Sequence, residues 1–302
     1  MSYAEAIDWD PPYFHQETTR GTFFAPGTSH LALWIGAQAS VRFIERFTRQ
    51  PIYVSDAGHL YTILTAAKRY MLQLFLAPQS TESIEFLKFA FNSSGDTGSA
   101  LTSLSLCLPC KIPVAGTDTQ YYIKLKRCML EGAGIGYQGK GALGARVDVS
   151  GLLEAFDTNA PTDWVAPTDP ATAPLTSTDG GTSHLTIKDL TTLTTYTPRP
   201  LSMFFEVANI LSYVDPADTL TFADNPWAGA RYSLRLLAPM TTKELRDAID
   251  TGNLLRATYT IKSATHSLEF NKLMFDSYPL APAVGVINVP LQSTDAQSAK
   301  LD

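Results

Sequence analysis

Apolar and polar residues alternate most clearly in two stretches. Tyr70, Leu72, Leu74 and Leu76 alternate with Met71, Gln73 and Phe75, and Tyr232, Leu234 and Leu236 alternate with Ser233 and Arg235. A period of two predicts strands with one face turned inward. Each stretch ends in Ala-Pro, at Ala77-Pro78 and Ala238-Pro239, and a helix start follows. Ser80 or Thr81 can cap a segment that sets Ile84, Leu87 and Phe91 on one face. Thr241 and Glu244 have capping-box spacing ahead of Leu245, Ala248 and Ile249. Gly95 and Gly252 are the expected stops. The Thr-rich residues 185–196, residues 101–108 and residues 284–289 suit further strands. The expected class is mainly β, with one short flanking helix in each of two sandwich-like or barrel-like domains.

The two stretches belong to a longer internal repetition. Residues 27–31 (GTSHL) recur at 181–185, and residues 40–45 (SVRFIE) resemble 202–206 (SMFFE). Tyr70 to Pro78 resembles Tyr232 to Pro239, a displacement of 162 residues from Tyr70 to Tyr232. Tyr121-x-Ile123-Lys124 with Leu130-Glu131 resembles Tyr259-x-Ile261-Lys262 with Leu268-Glu269, a displacement of 138 from Tyr121 to Tyr259. The four matches keep their order, which predicts a duplication. The first copy then carries about two dozen surplus residues, assigned to Asn92–Gly116. Residues 1–26 read as an N-terminal arm, 27–150 as the first copy, and 181–302 as the second copy with a polar tail. Residues 151–180, rich in Pro, Thr, Asp and Ala, read as a linker.

Composition narrows the function classes. Of 302 residues, 45% are hydrophobic and 17% charged, enough apolar material for a core. No apolar run approaches the ~18 residues of a membrane helix, and the opening MSYAEAIDWDPPYF lacks the pattern of a secretory leader. Three cysteines do not suit a disulfide framework. The net charge of −6 is uneven: +1 over residues 1–150 and −7 over residues 151–302. That balance does not suit a surface that grips DNA.

Candidate chemistry is sparse. Gly132, Gly134, Gly136 and Gly139 form G-x-G-x-x-G strings, but strand-like Arg146–Val149 follows where a dinucleotide site needs a helix. A hairpin or bulged strand is the expected reading. Cys107-x-x-Cys110 lies in strand-like surroundings with Cys128 as the remaining thiol, so buried structural cysteines are expected. The repeated His30 and His184 raise a metal site in each copy, as in a two-domain cupin-like metalloenzyme. His15, His59 and His266 have no matched counterparts to complete such sets. Trp34, Trp164 and Trp227 raise a carbohydrate-binding module but do not match between copies. The repeated charges Glu45/Glu206, Lys124/Lys262 and Glu131/Glu269 fit solvent-facing strand positions, or pairing at an assembly surface. No catalytic, cofactor-binding or metal residue is assigned. A non-enzymatic role is expected.

Residues 201–209 (LSMFFEVAN), 121–131 (YYIKLKRCMLE) and 285–289 (GVINV) are similar to strand segments of the tail tube, or major tail, proteins of long-tailed bacteriophages. The resemblance covers about residues 27–150 and 181–295. It implies a structural virion protein with duplicated tube domains. Rings would form from three chains with pseudo-sixfold symmetry and stack head to tail around a channel for DNA. It also implies tape-measure, terminator and baseplate partners, assembly in the host cytoplasm and residence in the virion tail. Another tail or baseplate component (hub, terminator or adaptor) is the alternative. Residues 92–116 and 157–180 are the expected inter-ring contacts.

Overall fold

The computed structural model describes residues 7–23, 31–33, 41–53, 60–78, 82–91, 102–138, 143–161, 173–176, 185–211, 227–239, 243–261, 266–275, 286–288, 291–293 and 299–301. It is mainly β. The first half contains β1 (Asp8–Trp9), β2 (Tyr13–Gln16), β3 (Leu31–Ala32), β4 (Arg42–Tyr53), β5 (Leu60–Leu76), α1 (Glu82–Phe91), β6 (Leu104–Val114), β7 (Thr117–Gln138) and β8 (Gly144–Asp157). The second contains β9 (Leu185–Asp189), β10 (Thr195–Tyr196), β11 (Ser202–Leu211), β12 (Trp227–Pro239), α2 (Lys243–Asp250), β13 (Leu255–Ile261), β14 (His266–Phe275), β15 (Val286–Asn288), β16 (Leu291–Ser293) and β17 (Ala299–Leu301).

All pairings are antiparallel, and each half follows one order. The first runs β3–β2–β6–β7–β8–β5–β4. The second runs β10–β9–β13–β14–β16–β12–β11, with β15 beside β12 in line with β16. The hairpins that precede the helices share a register. Arg42 faces Gln73, Phe43 faces Leu72 and Glu45 faces Tyr70. Phe204 faces Arg235, Phe205 faces Leu234 and Val207 faces Tyr232. The displacement of 162 carries one set onto the other. It also carries Phe86 and Leu87 of α1 onto Ala248 and Ile249 of α2, all four buried. Gly252, at φ 71°, ends α2: its N–H reaches the Ile249 carbonyl at 2.9 Å and the Asn253 N–H reaches the Ala248 carbonyl at 3.1 Å. This pair of hydrogen bonds satisfies carbonyls left over at the helix end. Thr241, Ser80, Thr81 and Gly95 lie outside the described residues.

Pairing also corrects several expectations. Glu206 is the counterpart of Ile44, and Glu45 that of Val207, so the Glu45/Glu206 match is one position out of register. A one-residue slip exchanges the two faces of a strand, so pairing overrides the similarity of letters. Tyr121 to Glu131 lies wholly on β7, whereas Tyr259 and Ile261 lie on β13 and Leu268 and Glu269 on β14. By strand order β13 corresponds to β6, so that match joins non-equivalent strands. The stretch read as surplus contains β6, which is part of the common order. The expected arm supplies β1 and β2, paired with β6. Residues 151–157 extend β8 instead of opening a linker. Leu175, within the expected linker, is buried. Its N–H donates to the Pro78 carbonyl at 2.7 Å, and its carbonyl accepts from the Leu143 N–H at 2.9 Å.

The halves share a core. The Phe14 ring lies 4.8 Å from Phe86, and Phe91 at the end of α1 lies 6.1 Å from Phe270 on β14. Phe270 in turn packs 4.9 Å from Phe205 and 5.5 Å from Tyr232. The buried amide of Asn209 on β11 donates to the Leu130 carbonyl of β7 at 2.9 Å and to the Ala90 carbonyl of α1 at 3.3 Å. Among the described residues, no helix is long and apolar enough to cross a membrane.

Buried Asp189 closes β9. Its carboxylate accepts from the N–H groups of Thr191 at 2.7 Å and Thr192 at 3.1 Å, and from the Asn253 amide at 2.8 Å. Burial pushes the carboxyl up, but the hydrogen bonds from Asn253, Thr192 and Thr191 outweigh it and hold the group below its ordinary value. Its contribution is therefore complete above the unfolded value of about 4 and is lost as pH falls through the lower folded value. Asp189→Ala should cost about 2 kcal/mol at pH 7. It should also flatten the loss of stability below about pH 4. Denaturant midpoints measured across pH check both.

Candidate assembly surface

The two halves meet where β11 pairs with the C-terminal part of β7. Ser202 faces Gln138, Phe204 faces Gly136, Glu206 faces Gly134 and Ala208 faces Gly132. The residue types of β7 follow from this contact. Ala133 and Ile135 point into the core and are buried, while Gly132, Gly134 and Gly136 occupy the opposite face. A methyl group at Gly134 would overlap the Phe204 ring. At Gly136 it would overlap the Met203 carbonyl oxygen and Phe204. Glycine therefore lets an aromatic side chain lie directly on the neighbouring backbone. The Gly-rich stretch is a strand and a seam, with strand β8 after it.

The same sheet face continues over β4, β5, β8 and β12 and mixes charged side chains with Ile44, Met71 and Phe204. A groove of about 410 Å³ lies along it, lined by Arg42, Gln73, Glu131, Arg146, Asp148 and Glu206 among others. Opposite charges pair along and across its strands. Asp148 accepts from the Gln73 amide at 2.7 Å and lies 3.1 Å from the Arg146 guanidinium. Glu206 lies 3.1 Å from the Arg235 guanidinium, and Glu131 lies 3.6 Å from that of Arg69. Exposed pairs of this kind contribute ~0–1 kcal/mol each. Their larger effect is to set charges of both signs side by side along the face.

The repeated charges find partners within the chain wherever their side chains are described. Lys124, nearly buried, reaches Asp157 at 3.1 Å. Glu269 lies 3.8 Å from the Arg256 guanidinium and accepts from the Asn271 amide at 2.8 Å. With Glu131 and Glu206 paired as above, these four act as cross-strand pairs on half-solvated strands. Lys262, His30 and His184 lie outside the described residues, as do His59, Trp34 and Trp164. Trp227 opens β12. His15 on β2 and His266 on β14 are far apart in the strand order. Among the described residues, no group of three His, Cys, Asp or Glu side chains is placed to hold a metal ion.

All three cysteines are buried thiols. Burial pushes Cys107 and Cys128 well above the ordinary thiol range and Cys110 up to about 11. Thiolate chemistry is suppressed accordingly.

Glu17, in the expected arm, is a buried carboxylate that strand patterning does not reveal. It accepts from the Gly21 N–H at 2.7 Å, the Ser103 hydroxyl at 2.7 Å, the Ser105 hydroxyl at 3.3 Å and the Arg127 N–H at 2.6 Å. Arg127, at φ 53°, sits in the irregular stretch of β7 where pairing with β8 shifts between Lys126 and Met129. Glu17 thus ties the N-terminal segment to a bulge in the longest strand. Phe204 likewise gained no role from its letters. The alternation of glycines at 132, 134 and 136 inside a strand pattern is the signal that a close neighbour lies there.

Comparison with protein-family models and with curated proteins finds no match for this chain.

The seam has a direct test in a double-mutant cycle. Gly134→Ala should cost about 2 kcal/mol in the native background and clearly less once Phe204→Ala has removed the ring. Gly144→Ala, where an added methyl meets nothing within 4 Å, should stay within about 0.5 kcal/mol of the native chain. Urea denaturation of the four seam forms and this control measures all three effects.

Proposed function

We propose that this chain is a non-enzymatic structural protein of a bacteriophage virion, a tail tube protein whose tube domain is duplicated within one chain. The observation that carries the reading is the common strand order of the two halves, joined edge to edge through β7 and β11. A chain that already contains two copies of a sheet and one seam between them needs few copies to close a ring. Three chains would present six equivalent sheets, and closure would remove the exposed strand edges. Head-to-tail stacking of such rings, a heterologous contact, generates a tube. The resemblance of residues 121–131, 201–209 and 285–289 to tail tube strands supports the same reading.

The sheet offers one face to the channel. Its other face carries Leu72, Leu74, Val147, Ile135 and Phe205 into the core. The face of Gln73, Arg146, Asp148, Glu206 and Arg235 then lines the lumen. Arg146 pairs with Asp148 and Arg235 with Glu206, so the wall is of mixed sign rather than acidic. Paired arginines offer DNA phosphates less attraction than an uncompensated basic stripe, and DNA can pass without being held. The partners in this role are further copies of the chain, the tape-measure, terminator and baseplate proteins, and DNA in transit. The role requires no cofactor. The protein would assemble in the host cytoplasm and reside in the virion tail.

Negative-stain microscopy of the purified chain, with and without other tail components, should show rings with a central hole that stack into tubes. Single chains under every condition would contradict the reading. Rings that never stack would favour a terminator, hub or adaptor instead.

A further inference from the structure

The two halves share a bulge that similarity of letters does not show. Leu104 faces Cys128 and Leu106 faces Leu125, so Ser105 stands against both Lys126 and Arg127. Leu255 faces Leu273 and Ala257 faces Phe270, so Arg256 stands against both Asn271 and Lys272. The second residue of each bulge, Arg127 or Lys272, sits at φ 53°. Pairs just beyond the bulge agree, since Met129 faces Ser150 on β8 and Met274 faces Gln292 on β16. A left-handed backbone favours glycine, so each half must hold a larger residue there by other contacts.

The means of holding it differ. In the second half the contacts stay within the β13–β14 hairpin: the Arg256 guanidinium donates to the Asn271 side-chain carbonyl, and the Asn271 amide donates to Glu269 at 2.8 Å. In the first half those three positions are Ser105, Lys126 and Lys124, and both lysines turn to β8, reaching Glu154 at 2.5 Å and Asp157 at 3.1 Å. The Arg127 N–H donates instead to Glu17, at 2.6 Å and 110 residues earlier in the chain. The N-terminal segment grips the hairpin on either side of this point. Toward the tip, Asp8 faces Lys111 and Trp9 faces Cys110. Past the bulge, the Arg20 guanidinium meets the Met129 sulfur at 3.5 Å.

We infer that residues 8–20 act as a strap: their docking fixes the left-handed backbone at Arg127, and with it the β6–β7 hairpin, whereas the matching hairpin of the second half is fixed by its own side chains. A bulge bends its strand and raises the local twist, so the contact that holds it sets how the hairpin leaves the sheet. The first hairpin is also the longer one. Its pair Cys110–Tyr121 matches Ile261–His266, and its ladder runs on to Val114 and Thr117. The strap covers the start of that extension through Asp8 and also through Asp10, which lies 3.8 Å from the Lys111 ammonium. Undoing the strap loosens one hairpin and spares the other. The inference depends on the common strand order of the halves and not on the tail tube role.

Full-length Glu17→Gln keeps the size of the side chain and removes its charge. Hydrogen exchange compared between native and variant chains should show residues 104–128 exchanging about tenfold faster in the variant. Residues 255–261 and 266–275 should be unchanged. Adding Arg127→Gly, which takes the left-handed backbone freely, should restore most of the lost protection. Loss of a hydrogen bond without control of the bulge gains nothing from that glycine. If Glu17→Gln does not fold, Ser105→Ala removes one of the four donors to Glu17 and should loosen the same residues in the same selective way, to a smaller extent. Native protection over residues 104–128 in a folded variant, equal loosening of both hairpins, or a loss that Arg127→Gly does not reverse would overturn the strap and leave the ring reading standing.

Discussion

The pairing of β7 with β11 is the contact on which the architecture depends. It joins two halves that would otherwise be separate sheets, and it does so through backbone approach close enough to exclude any side chain larger than hydrogen at Gly134 and Gly136. The constraint runs in both directions. β7 must carry Ala133 and Ile135 into the core and glycine outward, and β11 must carry Met203, Phe205 and Val207 inward and Phe204 outward. Asn209 then adds a buried polar link from β11 to β7 and to the end of α1. The phenyl cluster around Phe270 is possible because this seam brings the cores together.

Two sheets welded this way have consequences beyond stability. The order that repeats in each half leaves its last strand, β4 or β11, as an edge. Among the described residues, β11 is paired on both sides and β4 with β5. The asymmetry between otherwise matched halves gives the molecule a direction. The face of Gln73, Arg146, Asp148, Glu206 and Arg235 remains outside the core, with charges of both signs side by side. A mixed-sign wall differs from the acidic surface that the uneven charge of the two halves suggests. Part of that acidity, such as Glu206 and Glu269, is locally neutralised by Arg235 and Arg256.

What could be read from the sequence was local. The period of two at Tyr70 and Tyr232, the Ala-Pro that follows each, and Gly252 as a helix stop all depend on neighbours within a few residues. The displacement of 162 was legible for the same reason, since each hairpin-to-helix unit is compact in the chain. Partner choice was not legible. Tyr121-x-Ile123-Lys124 and Tyr259-x-Ile261-Lys262 look alike because any half-buried strand of that length repeats apolar residues at alternate positions. β7 and β13 nevertheless hold different places. The N-terminal strands, the stapling of Leu175 between Pro78 and Leu143, and the four donors gathered by Glu17 depend on contacts over many tens of residues. Composition in those segments resembles that of loops. The glycine stripe lay between these cases: its letters suited a hairpin or bulged strand, but the close neighbour that explains them, Phe204, came from the fold.

The most direct measurement of the central claim is a reconstruction of the assembled particle at a resolution that shows side chains. The proposed role predicts a closed sheet with Phe204 on glycine at the seam within each chain, and Asp148, Arg146, Glu206 and Arg235 turned toward the channel. An assembly in which those four residues face outward or pack against a neighbouring ring would contradict it.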